Sequence, residues 1–106
     1  MKQQEFYKAY ETIKRIIDNS DYRERVTRLG MTSGIGEPWK LNIRVEGEAR
    51  KGALKPCLEL IIPQKAAAEY DEEGEEIFIE WNGRRLNIGR RRITCNLGDD
   101  IYFRLA

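Results

Sequence analysis

The chain has 106 residues, 41% of them hydrophobic and 35% charged, with a formal net charge of +1 and no histidine. That length suits one domain able to build a single hydrophobic core without staples, and the missing histidine removes the usual general base and the commonest metal ligand. Two cysteines with no secretory hydrophobic segment do not make a disulfide framework, so a cytoplasmic setting is expected, and apolar runs such as Leu60-Ile61-Ile62 are far too short for a transmembrane helix.

From Gln3 to Asp18 the apolar residues Phe6, Tyr10, Ile13 and Ile17, widened by Ala9 and Ile16, recur at helical spacing along one face. Asn19-Ser20-Asp21 breaks the pattern. A second short helix is expected after it, capped by Ser20 or by Asp21 in a capping box with Glu24, with Tyr22, Val26 and Leu29 as its stripe and Gly30 as its stop; an unbroken, kinked helix over residues 3–29 is the alternative. Residues 31–38 (MTSGIGEP) read as a loop. The period then changes to two. Trp39, Leu41, Ile43 and Val45 point one way and Lys40, Asn42, Arg44 and Glu46 the other, which is a half-buried strand. Residues 47–52 read as its turn, and the next strand runs from about Leu54 to Ile62. Leu58, Leu60 and Ile62 face inward there, Lys55, Cys57, Glu59 and Ile61 face outward, and Pro56 marks an edge or a bulge. Gln64 to Tyr70 is too short for a stable helix and reads as a helical turn or an extended crossover.

Residues 77–88, IFIEWNGRRLNI, carry the strongest local signal in the chain. Asn82-Gly83 between alternating apolar residues specifies a type I′ hairpin, because both central positions need positive φ. A two-residue loop sets Trp81 opposite Arg84, Glu80 opposite Arg85, Ile79 opposite Leu86, Phe78 opposite Asn87 and Ile77 opposite Ile88. Ile77, Ile79, Trp81, Leu86 and Ile88 then share a core face, while Phe78, Glu80, Arg85 and Asn87 share an open one. Beyond it, Gly98-Asp99-Asp100 reads as a three-residue turn that sets Leu97 opposite Ile101, Cys95 opposite Phe103 and Ile93 opposite Leu105.

The expected fold is α+β: an N-terminal helix or helix pair (about 3–29) packed on one face of a mostly antiparallel meander sheet of about six strands (about 39–106), with a partly closed barrel as the alternative. The whole chain forms one domain.

No catalytic, cofactor-binding or metal-ligating set emerges. Gly34-Ile35-Gly36 lacks a third glycine and a following helix, and residues 47–52 lack the P-loop lysine. Gly98-Asp99-Asp100 resembles the metal-binding hairpin of viral RNA polymerases over those three residues alone, without the further carboxylates or the much larger palm domain. Asp71 to Glu76 (DEEGEE) lacks the alternating ligand spacing of an EF-hand loop and reads as a solvated acidic turn. Cys95 is expected in the core.

The near-zero net charge hides a division. Residues 71–83 carry six carboxylates and no base, whereas residues 84–106 carry six arginines against Asp99 and Asp100. Run outward, the hairpin register brings Glu75 and Glu76 near Gly89 and Arg90, and Glu73 near Arg91 or Arg92. The arginines with Phe78 and Tyr102 suggest a single-strand nucleic-acid binder. Opposing this are Glu59, Glu76 and Glu80, expected on the same face, and a pI near 7.7. Arg23, Arg25 and Arg28 on the second helix suggest a helix-turn-helix, but Glu24 interrupts them and the motif's internal pattern is missing. A protein-binding surface centred on Phe78, Ile61 and Tyr102 and ringed by Arg and Glu fits better. The expectation is therefore a non-enzymatic module that binds another protein or a second copy of itself. It would be an accessory, regulatory or inhibitory protein of the kind phages and plasmids encode, with nucleic-acid binding as the alternative. The contact residues expected are Phe78, Arg84, Arg85, Arg90, Arg91, Arg92, Tyr102 and Arg104.

Overall fold

The computed structural model describes residues 1–32, 35–36, 38–47, 57–73, 75–98 and 101–105, without the side chains of Ile101 and Tyr102. The expected turn at residues 48–52, the strand start at 54–56 with Pro56, Gly34, Gly74 and the turn residues Asp99 and Asp100 fall outside the described residues.

Helix α1 (Gln3–Asp18) buries Phe6, Ala9, Ile13, Ile16 and Ile17, the stripe that the spacing anticipates. It stops at Asn19 because its last carbonyls are taken: Asn19 Nδ2 donates to Arg15 O at 2.8 Å and Ser20 Oγ to Ile17 O at 2.6 Å. At the other end the terminal amine donates to Gln64 O and, at 3.3 Å, to Ala66 O, which fastens the first turn to the main chain that follows β3.

No second helix forms. Arg23–Arg25 makes a single 3-10 turn, and Val26–Thr32 is a strand, β1. Its pairing with β2 (Lys40–Glu46) sets Leu29 against Ile43 and Met31 against Leu41. An irregularity between Val26 and Arg28 shifts the register there, so the apolar residues before and after it fall out of a period of two. That phase slip is why Tyr22, Val26 and Leu29 imitate a helical stripe. The free edge of β2, rich in β-branched and apolar partners, outweighs a weak helix propensity. The helix-turn-helix reading falls with the helix.

Strand β3 (Cys57–Pro63) pairs with the other side of β2, with Leu58, Leu60 and Ile62 buried as expected. The segment read as a turn or crossover is mostly a fourth strand, β4 (Ala67–Asp71). Strands β5 (Glu76–Trp81), β6 (Arg84–Gly89), β7 (Ile93–Gly98) and β8 (Ile101–Leu105) follow in a meander. The described strands therefore number eight against the six expected, and they lie in two antiparallel sheets, ordered β1-β2-β3 and β4-β5-β6-β7-β8, that do not close into a barrel. Cys95 opposes Phe103 and Ile93 opposes Leu105 as expected. However, Gly98 takes the place expected for Leu97 opposite Ile101, because a register shift between Asn96 and Gly98 adds one residue to β7.

The α+β character holds: one N-terminal helix packs on antiparallel sheets. α1 touches β1 and β2 of the smaller sheet and β5 and β6 of the larger, and the buried side chains of helix and both sheets form one cluster. Tyr22, just past the helix, is buried and donates its hydroxyl to Gly89 O at the end of β6.

Candidate functional site

The hairpin of β5 and β6 has the register its turn dictates, from Trp81 opposite Arg84 to Ile77 opposite Ile88. Asn82 and Gly83 carry φ of 48° and 74°, the pair of positive values a type I′ turn needs. Ile77, Ile79, Trp81, Leu86 and Ile88 are buried. Each contributes about 1.5–3 kcal/mol by leaving water, so the opposite face of the sheet has no freedom to turn inward.

That open face can be laid out from the ladders. One row across the five strands reads Glu69, Phe78, Asn87, Thr94, Arg104, and the next reads Ala67, Glu80, Arg85, Asn96, Tyr102. Phe78, Asn87 and Thr94 are half-buried, and Glu69, Glu80, Arg85 and Arg104 are exposed. The Arg85 guanidinium lies 5.2 Å from the centre of the Phe78 ring, and its Nε is 3.4 Å from Glu80 Oε1. The ring contact adds about 0.5–1 kcal/mol at an exposed site and the ion pair no more than that. Together they place Arg85 between the aromatic ring and Glu80. Asn87 Oδ1, beside them, is buried with no hydrogen-bond partner among the described residues.

The eight residues picked from the sequence do not form one patch. Phe78, Arg85 and Arg104 share the open face. Tyr102 joins them by its backbone register, but its side chain lies outside the described residues. Arg84 is exposed beside the Asn82-Gly83 turn, opposite Trp81. Arg90, Arg91 and Arg92 sit at the far end of β6, in a turn closed by Gly89 N–H donating to Arg92 O at 2.9 Å. There Arg90 Nε is 3.3 Å from Glu75 Oε2. The three arginines line a cleft of about 720 Å³ with Glu73, Glu75, Glu76, Asn19 and Asp21. The acidic and basic blocks meet as the register required.

Two expected neighbours are elsewhere. Ile61, 58% exposed, and Glu59 belong to the outer face of the three-stranded sheet, so Ile61 builds no common apolar centre with Phe78 and Glu59 does not oppose the arginines of the larger sheet. The sequence reading missed the ionic network on that outer face. Arg44 is 2.9 Å from Glu46 and 3.0 Å from Glu59, and Arg28 is 3.6 Å from Glu59. Arg28 could be placed there only once β1 was a strand. The alternation of Leu29 and Met31 was the one available signal.

Cys95 is buried in the core, and burial pushes its thiol up to about 11. Cys57, half-buried, is opposite Glu46 on the outer face. In the native protein an aromatic disulfide reagent will label Cys57, whereas Cys95 will react slower by the factor of global opening, ~10³ or more. Equal labelling of both thiols in a time course would show that the sheet opens locally around β7.

Among the described residues no three of Cys, Asp and Glu gather in a metal-ligating group, and no helix is long and apolar enough to cross a membrane. Fold and surface thus define an α+β protein in which each of the two sheets leaves one face wet. No family model, curated protein or solved structure matches the chain.

Proposed function

We propose that the chain is a small, non-enzymatic, cytoplasmic binding module that docks another protein on the open face of its five-stranded sheet. The observation that carries this reading is the Phe78–Arg85 pair, an aromatic ring on β5 of a mostly polar face with a guanidinium on the central strand 5.2 Å from its centre. Aromatic residues and arginine inside a rim of both charges are the composition that protein interfaces favour. An accessory or inhibitory role is the setting that suits a domain of this size and surface.

The charges argue against the nucleic-acid alternative. Arg85 and Arg90 already face Glu80 and Glu75, and the turn of three arginines shares its cleft with three glutamates and Asp21. A phosphate backbone entering there meets carboxylates as well as arginines, and the counterion release that drives such binding is diminished.

Phe78→Asp will keep the circular dichroism spectrum of the native chain and lose capture of its partner from source-cell lysate, with a drop in affinity of at least ~10-fold. In parallel, single-stranded nucleic acid will show no saturable binding at low salt. If it does bind, and Arg90→Glu with Arg92→Glu abolishes that binding while Phe78→Asp does not, the protein-binding reading is replaced by the nucleic-acid one.

A further inference from the structure

The charges of the open face are sorted by strand. Glu69 and Asp71 on β4 and Glu76 and Glu80 on β5 occupy one side. Arg85 on β6 and Arg104 on β8 occupy the other. The sorting comes straight from the sequence, since the acidic block supplies the turn between β4 and β5 and the basic block supplies β6 to β8. A face with opposite charge in its two halves is complementary to a rotated copy of itself.

Two copies that pack face to face are related by a two-fold axis lying in the plane of contact. An axis running across the strands would set carboxylate over carboxylate. An axis running along them through β6 sets the β4–β5 side of each copy over the β7–β8 side of the other, with β6 over β6, so the charge pattern favours this geometry. With the axis along β6, the middle strand of the five, Glu69 of one copy lies over Arg104 of the other, because both belong to the same row, and Phe78 lies over Thr94. Arg85 stands on the axis strand, where its own Glu80 at 3.4 Å offsets the approach of its twin.

We propose that a partner of this face is a second copy of the chain, docked about a two-fold axis parallel to the strands; this rests on the reading of the open face as a protein-binding surface. Strands ~4.8 Å apart with ~3.3 Å per residue give the face about 400 Å² per copy. The total of about 800 Å² lies below the ~1,200–2,000 Å² of stable complexes, which makes the dimer weak and reversible.

Analytical ultracentrifugation of the full chain tests it. The expected result is a reversible dimer whose dissociation constant rises at least ~10-fold between ~50 mM and ~500 mM salt. Glu69→Arg with Glu80→Arg makes the face basic, and Arg85→Glu with Arg104→Glu makes it acidic. Each variant alone will be monomeric, and an equimolar mixture will dimerise. The four positions are exposed, so folding is retained; the single changes Glu69→Arg and Arg104→Glu repeat the mixing test if a double variant loses its circular dichroism spectrum. A monomeric wild type at every attainable concentration, a dimer indifferent to both reversals, or a mixture that stays monomeric overturns the proposal. If the wild type is monomeric yet captures a different protein in a Phe78-dependent way, the second copy is excluded and the binding face stands. Loss of both removes both.

Discussion

Phe6→Ala will lower the stability of the fold by about 3–5 kcal/mol, enough to remove a large part of the stability of a domain this size. Phe6 is fully buried and belongs to the cluster that joins α1 to both sheets. Truncation removes the transfer energy of the ring and leaves a cavity on an inner surface where neither sheet can collapse into it, since each is fixed by its own ladder. A urea titration followed by both far-ultraviolet circular dichroism and tryptophan fluorescence measures the loss. Trp39 reports from beside the smaller sheet and Trp81 from the larger, so a shared core predicts one coincident transition with a lower midpoint. Two separated transitions would mean that the sheets melt independently and that the helix does not unite them.

Raising the pH from about 9 to about 12 will destabilise the protein through groups whose neutral forms are buried. Tyr22 is pushed up to about 12 by burial, offset in part by its contact with Ser20. Between pH 10.0, where an unfolded tyrosine ionises, and about 12, the folded state keeps a proton that the unfolded chain has lost, so stability falls as pH rises. The full separation is worth about 2–3 kcal/mol, present below pH 10 and gone above 12. Cys95 acts with the same sign lower in the range, from 9.0 to about 11. Tyr22→Phe will flatten the upper part of the profile and cost about 1–3 kcal/mol at neutral pH, because Gly89 O loses its donor in a buried place. Tyr70→Phe is the contrasting control. Its hydroxyl is buried without a partner among the described residues, so its removal will leave neutral-pH stability unchanged or raise it by up to about 1 kcal/mol. Burial raises the Tyr70 hydroxyl as well, so it is the urea midpoints at neutral pH that distinguish the two tyrosines.

The chain by itself determined whatever depends on a few neighbouring residues. The Asn82-Gly83 turn settled the register of β5 and β6, because two positive φ values and a two-residue loop leave one pairing that keeps Ile77, Ile79, Trp81, Leu86 and Ile88 on one side. The 3.6-residue stripe of α1, the alternation in β2 and the parity that put Phe78 and Arg85 on the wet face were legible for the same reason. Only the tertiary structure decided which strands would take the sheet edges and how the strands would divide into two sheets. Residues 26–32 became β1 because the edge of β2 was there to receive them, and residues 67–71 became β4 beside β5, although neither segment announces a strand on its own. The split into two sheets then moved Ile61 and Glu59 away from Phe78, and the length of β6 separated Arg90, Arg91 and Arg92 from Arg85. Turn geometry and side-chain period are set by local sterics, whereas edge pairing is a competition among distant segments for the same backbone donors and acceptors, and its outcome is fixed only when the core assembles.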